Sequence, residues 1–247
     1  MLLLIDAGNT RVKWALANDD AKPGDWIASG AVSHAELPQL AAHWQGSRPT
    51  RALLSNVAGA EVAAQLEGAL SSAGVPRETM QWFRSQPACA GVVNGYRDPA
   101  QLGCDRFASL IAAHHRYPAQ SLLVVTAGTA TTVDALDASG RFIGGMILPG
   151  LGTMARSLAL NTAQLPAVDD ATLEHLFADN TRDAIISGCV HAQAGAITHA
   201  HAQLPDARCV LPGGAAKYIA PHLPLTVERI DNLVLLGLHV ALLSEAR

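Results

Sequence analysis

The chain has 247 residues, 49% of them hydrophobic and 15% charged, the balance of a folded globule of one large or two small domains, which excludes a disordered chain. Its 17 basic and 21 acidic side chains give a formal charge of -4, which argues against a dedicated nucleic-acid binder. Aromatic residues are only 4%, so Ala, Leu, Val and Ile must fill the core, as in an alanine-rich α/β protein. Cys89, Cys104, Cys189 and Cys209 are widely spaced with no Cys-x-x-Cys pair, and read as reduced thiols rather than a zinc site. The opening Met1 to Ile5 meets Asp6 at once, which predicts no signal peptide and a cytoplasmic location. The longest nearly apolar run, Leu233 to Leu243, is interrupted by His239 and falls short of the roughly 20 residues that span a bilayer, so no membrane partner is expected.

Residues 2–5 are continuously apolar, Asp6-Ala7-Gly8-Asn9-Thr10 follows, and Val12 to Leu16 alternates: strand, turn, antiparallel strand. A third strand fits Trp26 to Val32. Ser33 caps a predicted helix from about His34 to Trp44, with Glu36 at the capping-box position. Ala52 to Val57 reads as a buried strand, and Glu61 to Ala73 as a helix stopped by Gly74 and Pro76. A further helical pattern runs from Phe107 to about His115.

Near residue 121 the pattern restarts with Leu122 to Val125, the turn-like Thr126-Ala-Gly-Thr-Ala-Thr-Thr132, Val133 to Leu136, and Phe142 to Leu148. Helices are predicted at Thr181 to about Ala202 and Asn232 to Leu243, with a strand from Arg208 to Leu211 and a turn at Pro212-Gly213-Gly214 between them. The two openings place a small-residue turn, Gly third, after equivalent apolar strands, so the chain reads as duplicated. Two half-domains follow: 1–117, with the first turn, and 118–247, with the second.

In Asp6 to Thr10, the glycine lets backbone approach a phosphate, amides and a hydroxyl can donate to its oxygens, and Asp6 at a strand end suits Mg²⁺. A plain hairpin turn explains Asn and Gly equally well. Gly128-Thr-Ala-Thr-Thr132 offers a glycine and three hydroxyls, a second set with phosphate-binding capacity and little apparent packing value. Rossmann and Walker readings fail, because each turn joins two strands instead of leading into a helix. In Gly103-Cys-Asp-Arg106 the carboxylate lies in the first turn of a helix, where the dipole and the neighbouring Arg favour the ionised state of a general base; a capping residue with a surface ion pair is the alternative. Gly144-Gly-Met-Ile-Leu-Pro-Gly150 and Pro212-Gly-Gly214 end strands with close-approach residues that structure alone would also explain. The ten histidines form no metal-ligand spacing and read as solvated or satisfied.

Taken together, Asp6-x-Gly-Asn-Thr10, Tyr96-x5-Leu102-Gly-x-Asp-Arg106, Gly128-Thr-Ala-Thr-Thr132 and Gly144-Gly-x-Ile-x-Pro-Gly150 resemble, in order and spacing, the type III pantothenate kinases. The resemblance implies an α/β fold of the duplicated actin-like, Hsp70-like and sugar-kinase-like (ribonuclease H-like) kind, with two half-domains around a nucleotide cleft. It implies a homodimer that phosphorylates pantothenate with ATP and Mg²⁺, the first step of coenzyme A synthesis. By position, Asp6, Ala7, Gly8, Asn9, Thr10, Arg11, Val12 and Lys13 resemble the ATP-phosphate loop, with Asp6 toward Mg²⁺ and Thr129 a further nucleotide contact on the adenosine side. Asp105 resembles the catalytic base, and Tyr96, Gly103, Cys104, Asp105, Arg106 and Thr181 the pantothenate contacts. Many members begin the second turn with Asp, at a position associated with a monovalent cation, K⁺ or NH₄⁺; this chain has Thr126, with Asp134 further on. Two other readings share the fold: a regulatory or accessory protein without catalysis, and a kinase for another small alcohol.

Overall fold

The structure is a computed structural model that describes residues 1–168, 175–212 and 216–245. The all-apolar opening becomes β1 (Leu2–Ala7), buried on both faces at residues 2–5. It continues through Asn9 and Thr10 into β2 (Arg11–Ala17), then β3 (Ala28–Ser33). β4 (Arg51–Asn56), α1 (Ala60–Ser72) and β5 (Met80–Trp82) follow. The first sheet has the order β3-β2-β1-β4-β5, antiparallel between β1, β2 and β3, and parallel between β1, β4 and β5. One face is closed by Leu66 and Leu70 of α1 and by Leu37, Leu40 and Trp44.

Ser33 does start a helix over His34–Trp44, but it is a 3-10 helix. Pro38 is the reason: it has no N–H for an i to i−4 bond, and its ring crowds the carbonyl four residues back. Trp26 falls outside the third strand.

β6 (Ala88–Cys89) and β7 (Val92–Asn94) form a short antiparallel pair ahead of α2 (Cys104–Arg116). Residues 107–113 of α2 are all buried. The chain then builds β8 (Leu122–Ala127), β9 (Ala130–Leu136) and β10 (Arg141–Pro149). α3 (Leu151–Asn161), α4 (Thr181–Gln203), β11 (Arg208–Val210), α5 (Ala216–Ile219) and β12 (Val227–Glu228) come next. α6 (Leu233–Glu245) ends the described chain. Among these strands β8 and β9 are antiparallel, β11 is parallel to both β8 and β12, and the order is β12-β11-β8-β9-β10. Read outward from the central strand, this is the arrangement of the first sheet repeated, so the duplication is real at the level of topology.

Two compact units result. The first holds Met1–Pro118, Gly140–Phe142 and the segment from Asn232 onward; the second holds Ala119–Ser139 and Ile143–Asp231. Residues 140–142 and the last helix group with the first unit rather than with a 118–247 half. Arg141 and Phe142 pair with Val93 and Asn94 of β7. α6 lies directly on α2: a Cβ on Gly237 would stand 1.8 Å from the Ala108 carbonyl oxygen, so only glycine permits that approach. A parse by consecutive sequence misses such a return, because the burial that drives it is to residues more than a hundred positions earlier. Gly213 and Gly214 of the expected turn lie outside the described residues.

Candidate active site

The first hairpin closes with the Gly8 amide donating to the Arg11 carbonyl at 3.1 Å, leaving Asn9 and Thr10 exposed at the tip. The register sets Asp6 opposite Lys13 on β2 and beside Ser55 on β4. Ala7 and Val12 are buried and support the hairpin from below, whereas Arg11 and Lys13 are exposed.

Asp105 reaches the same region by another route. Gly103 is the N-cap residue of α2, which puts Cys104 and Asp105 in its first turn. The Cys104 Sγ lies 3.3 Å from the buried Ser55 Oγ and 3.6 Å from the Asn56 carbonyl, tying the start of α2 to the end of β4. Ser55 is thus the shared neighbour, in register with Asp6 and bonded to Cys104. A serine after the apolar run Ala52 to Leu54 was the one sequence signal for it.

The electrostatics follow from this convergence. Burial, then the nearby Asp105 charge, pushes the Asp6 carboxyl up to about 7, with Lys13 acting in the opposite direction. Asp105 is also raised, chiefly by burial, although its Oδ1 accepts the Arg106 amide at 2.8 Å and the Arg106 guanidinium lowers it. The expectation that dipole and Arg alone set its charge state is therefore corrected: desolvation outweighs them. Burial pushes the Cys104 thiol up as well, which keeps it protonated. Two desolvated carboxyl groups, with the Asp105 charge raising Asp6 further, lack positive charge, and the donor set suits Mg²⁺, an ion held by one or two carboxylates plus substrate phosphates. Among the described residues no group of three or more His, Cys, Asp or Glu side chains forms a metal cage.

Tyr96 and Arg106, ten residues apart, are brought together. The buried Arg106 donates from Nη1 to the Tyr96 hydroxyl at 3.1 Å, and its guanidinium stands 5.7 Å from the Tyr96 ring centre and 5.9 Å from that of Phe142. The Tyr96 turn is held by Asn94, whose Oδ1 accepts the Tyr96 amide and whose Nδ2 donates to the Pro99 carbonyl.

In the second unit the hairpin of β8 and β9 closes with the Gly128 amide on the Ala130 carbonyl at 2.9 Å. Thr126 lies opposite Thr132, their hydroxyls 2.7 Å apart, and Thr132 Oγ1 donates to the buried Asp134 at 3.2 Å. With the Thr132 proton directed to Asp134, Thr126 is the donor of the pair. Thr131 donates to Gln193 Oε1 at 3.0 Å, and Gln193 Nε2 donates to the Pro149 carbonyl at 2.9 Å. The three hydroxyls read as a phosphate set therefore divide. Thr131 and Thr132 are buried and structural, and Thr129 is exposed at the tip. Gly150 packs against this tip: its amide donates to the Thr129 carbonyl, and a Cβ there would stand 1.9 Å from the Gly128 carbonyl oxygen. Thr181 is exposed in the first turn of α4, after the N-cap Asn180.

The motif set coincides with a match to a family model described as type III pantothenate kinase, which spans residues 2–203. A type III pantothenate kinase of Janthinobacterium sp. (strain Marseille) is 53% identical over 258 residues, covering 100% of this chain and 99% of the relative. One from Herminiimonas arsenicoxydans is also 53% identical, covering 97% and 96%. Among solved structures, a candidate 2-dehydro-3-deoxygalactonokinase from Sinorhizobium meliloti superposes with a TM-score of 0.63 at 14% identity, covering 98% of each chain. A candidate Baf family transcriptional activator from Campylobacter jejuni gives 0.63 at 17%, covering 99% of this chain and 98% of its own. These two likenesses show that the fold is shared along almost the whole chain. The full-length relatives place the sequence more narrowly: the chain belongs to the type III pantothenate kinase family.

Proposed function

We propose that this chain transfers the γ-phosphoryl group of ATP to the primary hydroxyl of pantothenate, and that Asp105 is the base. The convergence of Asp6 and Asp105 through Ser55 and Cys104 carries the reading. Asp105 accepts the hydroxyl proton as the oxygen attacks phosphorus in line, and mainly orients the alcohol, because phosphoryl transfer is loose and proton removal late. The first hairpin, Asp6 to Lys13, receives the phosphates, with backbone amides at its tip and the Arg11 and Lys13 charges beside it. Asp6 would hold Mg²⁺, which would supply charge neutralisation on the phosphoryl oxygens. Tyr96 and Arg106 form the pantothenate side with Gly103 and Cys104, Arg106 addressing the carboxylate. Thr129 is a further nucleotide contact, and the second unit carries the adenosine side.

The active species is a homodimer. Ile147 is 64%, Leu160 83% and Phe177 90% exposed, all within residues 143–177, where a monomer gains nothing from apolar side chains in water. Thr181 lies close in sequence to this segment and completes the pantothenate contacts there. The reaction is cytoplasmic and needs neither nucleic acid nor a membrane; among the described residues no helix is long and apolar enough to cross one. The second hairpin offers an acceptor hydroxyl oxygen at Thr126 rather than a carboxylate, so monovalent cation binds there weakly and K⁺ or NH₄⁺ gives little activation.

Coupled ADP release by the purified protein with ATP, Mg²⁺ and pantothenate, with and without K⁺, tests the reading against a no-pantothenate control. Pantothenate-dependent turnover is the expected result. Turnover only with another alcohol overturns the substrate assignment, and ATP binding without turnover on any alcohol moves the regulatory reading to first place.

A further inference from the structure

The first hairpin is held from outside by a residue that no motif contains. β3 pairs with β2 so that Ser33 stands opposite Arg11, at the edge of the loop, and the chain continues directly into His34. The Glu36 carboxylate accepts both the Ser33 amide and the Ser33 hydroxyl at 2.7 Å, which fixes where the 3-10 helix begins. His34 Nε2 then lies 2.9 Å from the Gly8 carbonyl oxygen. A carbonyl only accepts, so Nε2 carries the proton and donates.

This bond has a directional consequence. In a trans peptide the C=O and the next N–H point in opposite directions, so holding the Gly8 carbonyl toward His34 turns the amide of Asn9, an exposed residue of the tip, away from His34. The Gly8 amide is already engaged with Arg11, and so the Asn9 amide is the next donor the loop can offer.

We propose that His34 is a positioning residue for the nucleotide-phosphate loop, its bond to the Gly8 carbonyl fixing the Gly8–Asn9 peptide so that the Asn9 amide is presented to a phosphate oxygen. It rests on the reading of this hairpin as the phosphate loop. Preorganised amides bind developing charge without reorganising, so loosening this peptide weakens phosphate binding and turnover but leaves the pantothenate side untouched.

The test compares the full-length wild type with His34→Ala and His34→Gln. In His34→Ala the KM for ATP rises by about three- to tenfold, the scale of one net hydrogen bond, while the KM for pantothenate moves less than about twofold. His34→Gln, whose side-chain amide can donate to the same carbonyl, recovers most of the loss. Calorimetry gives a second readout that needs no turnover: His34→Ala weakens ADP but not adenosine. Equal shifts in both KM values, no rescue by Gln, or equal loss of ADP and adenosine overturns the proposal. A wild type that binds ADP yet does not phosphorylate pantothenate would sink the proposed reaction alone. If His34→Ala fails to fold, the wild-type imidazole still decides: ¹⁵N NMR must show the Nε2–H tautomer, and the Nδ1–H tautomer refutes the bond.

Discussion

The two hairpins are built on the same frame and differ in charge. In the first, Asp6 faces Lys13; at the equivalent place in the second, Thr126 faces Thr132. One strand end therefore carries an ionisable pair beside a second carboxyl group, and the other a neutral hydroxyl pair whose protons run inward to Asp134. Duplication conserves the backbone route but leaves the chemistry to single side chains. A strand end with a desolvated carboxylate stores a demand for a cation, whereas one with bonded hydroxyls is satisfied as it stands.

This contrast can be broken at several points. The largest effect is expected on the charged side: Asp105→Asn should lower kcat by about 10²- to 10⁴-fold with the secondary structure unchanged by circular dichroism, and near-normal kcat would remove it as base. Asp6→Asn should reduce kcat/KM by roughly 10²-fold and weaken the apparent Mg²⁺ affinity in a metal titration. The second hairpin responds through shape. Gly150→Ala forces the Gly128–Thr129 tip to move, and the KM for ATP should rise by about tenfold with a smaller change in the KM for pantothenate. Thr126→Asp would give the second hairpin the charge of the first; a K⁺ titration should then show activation of about two- to fivefold, and an unchanged titration would refute the assignment of that position.

The smallest effect concerns stability, and it falls on one histidine of the first unit. In the second unit His191 and His201 bond to carbonyl oxygens. In the first, His239 of α6 is fully buried against Trp26, at 5.4 Å between ring centres, with both ring nitrogens unpartnered among the described residues. Histidines read from sequence as solvated or satisfied thus include one that is neither. Burial holds its pKa below the ordinary 6.5, with Asp25 opposing and Arg51 adding to the shift. Above that ordinary value folded and unfolded chains both carry the neutral ring. Below it the unfolded chain takes up a proton that the folded chain resists, so stability is lost as pH falls. Thermal unfolding should drop by on the order of 2 °C for this reason between about pH 7.5 and about pH 5.5, and His239→Leu should flatten that part of the profile.

Much of the site was legible in the chain. Asp6 to Thr10 announces a strand-turn-strand because an apolar run stops at a carboxylate, and Asp105 stands out because it opens a helix next to Arg106. Neither Ser55 nor His34 could be found that way. Each lies more than 20 positions from the loop it supports, and a serine in a strand or a histidine after a cap carries no spacing signal. The phosphate reading of Thr131 and Thr132 failed for a related reason: hydroxyl types are visible in sequence, but their direction depends on Gln193 and Asp134.

By itself the sequence determined the order of the longer elements, the duplication and the family, since these depend on local periodicity and on motifs short enough to be read in line. The tertiary structure decided the return of α6 to the first unit, the meeting of Asp6 with Asp105, and which hydroxyls point into the core. Those outcomes follow from packing and desolvation between residues distant along the chain, where one glycine such as Gly237 or one buried serine such as Ser55 sets the approach.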